Sequence, residues 1–200
     1  TTISGSGGSI DIYLPLASPS SSNSFDDEFN DNSLSSSWTE FDPDNILTIS
    51  ETTYGLEMSQ DDNGEKVIGI YKSVPSSSEF TIWTKPQILT PHDKGFKAGI
   101  FLCEHSTITT TSDMWVFNLG KGINSYIQIE RMNSYNDFYG NYLNSEIPAF
   151  FNGLYFRLRI QKQTSTAYAW LDVSSDGISW NNMSAKLEGG SEDYYTVHFV

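Results

Sequence analysis

The chain has one cysteine in 200 residues, Cys103, so an intrachain disulfide is excluded. Stability has to come from packing and from hydrogen-bonded ladders. Positive charge is also scarce: 11 Lys and Arg stand against 25 Asp and Glu, for a formal charge of −14 and an isoelectric point near 4.3. Such a surface repels a phosphate backbone, and no Lys/Arg stripe is present to release its counterions. This argues against nucleic acid as a partner and disfavours anionic membrane surfaces. No apolar run approaches the roughly 18 residues that suggest a membrane span. Neither an initiator Met nor a charged-then-apolar leader opens the sequence, so Thr1 reads as the start of a processed product or of a fragment. His92, His105 and His198 are far apart, with no nucleophile elbow and no zinc-ligand spacing among them.

Aromatic residues are plentiful, with 12 Phe, 11 Tyr and 5 Trp among many Ser, Thr, Asn and Gly. Flat rings and β-branched side chains pack well on a pleated surface, which favours strands and turns over helices. With 38% hydrophobic residues the chain buries a core of its own, and one main domain is expected. A cystine-free sandwich of extracellular character fits a virion protein, because such proteins assemble in a reducing cytoplasm before release.

Residues 1–24 read as a flexible linker or anchoring arm. Ser4-Gly5-Ser6-Gly7-Gly8-Ser9 and Ser18-Pro19-Ser20-Ser21-Ser22-Asn23 bury too little apolar surface to offset their ordering entropy. Between them, Ile10 to Leu16 alternates briefly, as a strand added to a neighbour would. The folded unit is expected from Phe25 to Val200. Alternation or apolar richness predicts strands at 37–41, 46–50, 54–59, 66–72, 79–85, 96–103, 114–119, 125–132, 154–161, 166–173 and 194–199. Turn residues separate them, at Asp42 to Asn45, Asp61 to Gly64, Ser76 to Ser78, Pro91 to Gly95, Gly120 to Gly122, Asn152-Gly153 and Asp176-Gly177.

The clearest pair lies towards the C-terminus. Leu154, Phe156, Leu158 and Ile160 fall on one face of their strand and Tyr155, Arg157 and Arg159 on the other. In the next strand, Ala167, Ala169, Leu171 and Val173 oppose Tyr168, Trp170 and Asp172, with Lys162 to Ser165 as the turn. The aliphatic faces are expected to form core.

Three stretches here, Tyr155-Phe156-Arg157-Leu158-Arg159-Ile160, Ala167-Tyr168-Ala169-Trp170 and Ser174-Ser175-Asp176-Gly177-Ile178-Ser179-Trp180, follow one another as an arginine strand, an aromatic strand and an Asp-Gly hairpin. Upstream stand Phe25-Asp26-Asp27-Glu28-Phe29-Asn30 with Leu34 and Trp38, and Lys97-Ala98-Gly99-Ile100-Phe101-Leu102. In that order, over residues 25–180, the sequence resembles the concanavalin A-like lectin/glucanase superfamily. The resemblance implies an all-β fold, a two-sheet antiparallel jelly-roll sandwich. Its members include lectins, glycoside hydrolases, their accessory modules and phage tail or head appendages. The sequence departs from the pattern after the hairpin, where only Tyr194 to Val200 remains, so a closing strand is missing or comes from a partner.

The spacing of the acidic residues does not fit hydrolysis. Retaining hydrolases of this fold present two carboxylates about 5 Å apart, through a Glu-x-Asp-x-x-Glu strand that is absent here. The consecutive Asp26-Asp27-Glu28 would point to opposite faces of a strand. Cys103, ahead of Glu104 and His105, reads as an inert strand thiol. Asp61, Asp62, Asn63 and Glu65 cluster oxygen ligands suited to a structural Ca²⁺, against the alternative of a hairpin turn at Asn63-Gly64. Asp26, Asp27 and Asp172 are further oxygen donors for the fold to bring together. No other cofactor is expected.

For sugar binding, rings that stack on pyranose C–H faces and neighbouring polar groups are the useful elements. Tyr155, Arg157, Arg159, Tyr168 and Trp170 supply them, joined by Tyr126, Gln128 and Glu130 on a third alternating strand. The alternative is that these rings pack under the arm, under a loop or in a subunit interface. The stretch from Asn133 to Tyr142, with Tyr135 and Tyr139, reads as a long recognition loop of paratope-like composition, or as a loop held by its own rings. The expected function is a non-catalytic binding and display module on a virion surface or in the extracellular space. It would be present in many copies, with a glycan or another virion or cell-surface protein as partner. The alternative is a carbohydrate-binding accessory domain of a secreted glycoside hydrolase.

Overall fold

The computed structural model describes residues 27, 29, 31–52, 55–60, 66–88, 96–103, 107–121, 124–147, 154–163, 166–183 and 195–198. Within them the chain is all β, with thirteen strands and no helix. They are β1 (Thr39–Phe41), β2 (Leu47–Thr52), β3 (Gly55–Gln60), β4 (Gly69–Tyr71), β5 (Glu79–Thr84), β6 (Phe96–Cys103), β7 (Met114–Lys121), β8 (Ser125–Ser134), β9 (Asp137–Ile147), β10 (Tyr155–Lys162), β11 (Thr166–Ser174), β12 (Asn181–Asn182) and β13 (Tyr195–His198). The expected arm at 1–24 and the Asp61 to Glu65 cluster lie outside the described residues, as do Asp26, Glu28, His92 and His105.

Two larger antiparallel sheets make the body. One is the meander β6-β7-β8-β9. The other runs β12-β11-β10-β5, with β13 pairing the same β11. Strand β12 meets β11 at Asp172 and Val173, and β13 meets it from Thr166 to Ala169, so both lie along the edge that β10 leaves open. Smaller pairs, β2-β3 and β1-β4, complete the described structure.

The core follows from the alternation. Phe156, Leu158 and Ile160 of β10 and Ala167, Ala169 and Leu171 of β11 are buried together with Trp115, Phe117 and Leu119 of β7 and Ile127 and Ile129 of β8. One apolar face of each large sheet therefore meets the other, a β-sandwich-like arrangement. Each fully buried Leu, Ile or Phe there contributes about 1.5–3 kcal/mol relative to exposure. Strand β7 is buried on both faces, which explains its nearly unbroken apolar run. Its Met114, with Met132 of β8, packs under Phe41 of β1 and Val67, so the β1-β4 pair covers part of the far face.

Two expectations need correction. Asn133 to Tyr142 is not a loop: β8 extends to Ser134, a turn occupies 135–136, and β9 runs from Asp137. Strand β9 mixes polar residues with Leu143 and Ile147, which join the core, and pairs β8 through three register shifts, which erases any period-two signal. Likewise, Gly120 and Lys121 continue β7 rather than starting a turn. The Ala-Gly strand β6 lies against β7 because Gly99 has no side chain. A Cβ there would sit 2.0 Å from the Phe117 carbonyl oxygen.

Candidate binding site on the outer face of β5, β10 and β11

The face of β10 that points away from the core carries Tyr155, Arg157, Arg159 and Gln161. Pairing with β11 and β5 sets these into cross-strand rows: Trp83, Arg157 and Asp172 in one; Thr81, Arg159 and Trp170 in the next; Glu79, Gln161 and Tyr168 in the third. Neighbours across an antiparallel ladder stand about 5 Å apart, so each row is a contact row.

Asp172 anchors the face. Its side chain is 3% exposed, and Arg157 Nε donates to its Oδ2 at 2.9 Å. Arg159 donates through Nε to Oδ2 at 2.7 Å and through Nη2 to Oδ1 at 3.1 Å. A carboxylate this deep is stable only when paired and hydrogen-bonded, and here two guanidiniums serve one acid. Both arginines also lie over indoles, Arg157 at 4.3 Å from the Trp180 ring centre and Arg159 at 5.4 Å from that of Trp170.

Trp180 reaches this row through the turn that follows β11. The Ser174 hydroxyl donates to Asp176 Oδ1 and accepts the N–H groups of Asp176 and Gly177, while Oδ1 accepts those of Ile178 and Ser179. Gly177 takes φ of 74°, a left-handed value that glycine adopts without strain. The Ser179 and Ile178 amides, with the Ser174 hydroxyl, hold the Asp176 carboxyl well below the ordinary carboxylate range. The turn delivers Trp180 to Trp83, ring centres 5.1 Å apart and nearly perpendicular. Tyr155 lines the same end, under the Lys85 ammonium at 4.7 Å. At the other end an open groove of about 370 Å³ is bounded by Glu79, Thr81, Arg159, Gln161 and Trp170. Gln161 Nε2 donates to Glu79 Oε1 at 2.9 Å across its rim, and Tyr168 meets Trp170 edge-on at 6.2 Å.

Of the residues singled out by sequence, Tyr155, Arg157, Arg159, Tyr168 and Trp170 share this face. Tyr126 and Gln128 do not join them, because their strand β8 belongs to the other sheet. Their even-numbered positions point away from the shared core, beside Glu130. Glu130, 3% exposed, accepts Lys97 Nζ at 2.7 Å and Asn118 Nδ2 at 2.8 Å in a buried polar network of its own. Tyr135 sits in the β8-β9 turn and donates its hydroxyl to Asp44 Oδ1 at 3.1 Å, tying that turn to the one after β1. Desolvation, and then the hydrogen bond and charge of Asp44, raise its phenol above the usual value against the opposing pull of Lys66. Tyr139 is exposed on β9 over Arg131, which also stacks on Trp115. These four residues therefore belong to three other places.

Trp83, Thr81 and Glu79 were missed. The alternation of Glu79 to Thr84 put them on one face, yet nothing local announces that β5 pairs with β10. Trp180 stood in the hairpin motif without a role. Among the described residues no group of three His, Cys, Asp or Glu side chains is arranged to hold a metal ion, and Asp27 accepts the Trp38 indole N–H at 2.7 Å. No protein-family model, curated protein or solved structure matches this chain, so what the face does has to be argued from its side chains.

Proposed function

We propose that the chain is a non-catalytic binding and display module whose β5-β10-β11 face recognises a glycan. The observation that carries the reading is Trp83, 47% exposed, standing edge-on to Trp180 beside the Arg157 guanidinium. An indole left in solvent next to fixed hydrogen-bonding groups suits a pyranose, which presents an apolar C–H face and a rim of hydroxyls. The groove adds a carboxylate at Glu79 and a carboxamide at Gln161 to address those hydroxyls. Three hydrogen bonds from two arginines engage Asp172, which favours an anchoring role for it over proton transfer.

The fold we assign is the concanavalin A-like jelly roll, supported by the order of the sequence motifs and by a core shared between two antiparallel sheets. The setting we assign is a virion or other extracellular surface carrying many copies, supported by the cystine-free composition and the Ser/Gly-rich start of the sequence. A glycan array probed with the full chain and with Trp83→Ala tests the binding role. Glycan capture by the wild type, lost in a Trp83→Ala protein that still unfolds cooperatively, is the expected result. Capture of no glycan, or equal capture by both proteins, overturns the reading.

A further inference from the structure

Resting on that reading of the face, we infer that the bound glycan carries a carboxylate and that Arg157 receives it. A guanidinium has five N–H donors. Arg159 approaches Asp172 side-on and engages both Nε and Nη2. Arg157 gives Asp172 only its Nε. The two terminal nitrogens of Arg157 make no hydrogen bond among the described residues, and its side chain is 26% exposed, so they face solvent. The guanidinium carbon lies 4.3 Å above the Trp180 ring centre, a cation–π contact that restrains the group without using its N–H donors. What remains is an end-on fork of two nitrogens, the geometry that meets the two oxygens of a carboxylate.

Charge points the same way. Two of the chain's three arginines meet at Asp172, so the pair retains one positive charge in a chain of −14. Lys85 adds a second cation over Tyr155. The acid at the far end, Glu79, pairs across from Gln161, four residues along β10 from Arg157. At about 3.3 Å per residue that is roughly 13 Å, more than the ~8 Å Debye length of physiological salt. The face is therefore polar along its length. Its Trp83-Trp180-Arg157 end suits an acidic sugar ring, and its Glu79-Gln161 groove suits a neutral neighbour in the same oligosaccharide.

The test is an array of matched pairs: uronate-containing oligosaccharides beside their methyl esters, sialylated glycans beside their desialylated forms, and sulfated analogues of the neutral members. The wild-type chain is expected to prefer the carboxylated member by about tenfold or more, the size of one charge-assisted hydrogen bond, and to lose that preference as NaCl rises. The uronate and sialylated arms distinguish the two sources of the acid. Arg157→Gln is expected to erase the preference, so that acid and ester are captured alike. Arg157→Lys, which keeps the charge and loses the fork, is expected to fall between. Equal capture of acid and ester, or capture of sulfated glycans alone, overturns this inference and leaves glycan binding standing. Capture of nothing overturns both. The wild-type comparison decides the carboxylate even if one Arg157 variant does not fold, and the other variant then decides the residue.

Discussion

Arg159 meets Asp172 side-on, with Nε 2.7 Å from Oδ2 and Nη2 3.1 Å from Oδ1, whereas Arg157 reaches the same carboxylate through one nitrogen. The two arginines should therefore differ in what they give to stability. Removing Arg159 takes two charge-assisted bonds from a carboxylate that is 3% exposed. Removing Arg157 takes one. Arg159→Gln is expected to cost about 2–4 kcal/mol and Arg157→Gln about 1–2 kcal/mol, since each such bond is worth roughly 1.5–3 kcal/mol and partial rearrangement offsets some of it. Urea melts check the order. A larger loss for Arg157→Gln would mean that Arg157 carries the buried charge.

Core and face should separate in the same assay. Phe156 is fully buried between the sheets, while Trp83, on the opposite side of the adjacent strand, is about half exposed. Phe156→Ala is expected to destabilise by about 3–5 kcal/mol through lost burial and the cavity left behind. Trp83→Ala is expected to cost less, about 1–2 kcal/mol, for its half-buried ring and the edge-on contact with Trp180. Equal losses would mean that the outer face is packed as a second core.

Which parts were legible in the sequence follows from what each signal depends on. Strands β6, β10 and β11 were readable because one face is aliphatic and the other is not, and a period of two survives any neighbour. Strand β9 was not, because Asp137 to Ile147 mixes polar and apolar residues without a period of two and slips register against β8. The arginine-aromatic half of the site was visible within one hairpin. Its Trp83 half comes from β5, a non-local partner of β10, and pairing over such a separation leaves no local pattern. Tyr126 and Gln128, on a third alternating strand, show the limit of the same signal: alternation tells which residues share a side of their own strand, not which sheet the strand joins.

Gly99 offers a backbone test of the β6-β7 contact. A Cβ there would lie 2.0 Å from the Phe117 oxygen and 2.7 Å from the Asn118 Cα, both fixed by the ladder. At Gly140 a Cβ meets nothing within 4 Å. Gly99→Ala is expected to cost about 3 kcal/mol or more, an overpacking penalty at the upper end because backbone must move, while Gly140→Ala should be neutral or slightly stabilising. Thermal melts of the two variants side by side read the difference. A Gly99→Ala protein as stable as the wild type would show that β6 is not held this closely to β7.

The hairpin after β11 links pH to stability through Asp176. Its carboxylate accepts the Ile178 and Ser179 amides and the Ser174 hydroxyl, and its folded-state titration lies well below the usual range. In the unfolded chain an aspartate titrates near ~4. Between that value and the lower folded one, the unfolded state binds the proton first, so stability from this group is complete above about pH 4 and drains away as the pH falls. Asp176→Asn keeps a carbonyl oxygen in the turn but removes the titration. It is expected to lower stability at pH 7 and to flatten the acid limb of the stability curve, so that the gap from wild type narrows from pH 5 towards pH 2. Denaturant melts across that window check it, and a gap that stays constant would mean that the three hydrogen bonds do not discriminate between the charged and neutral acid.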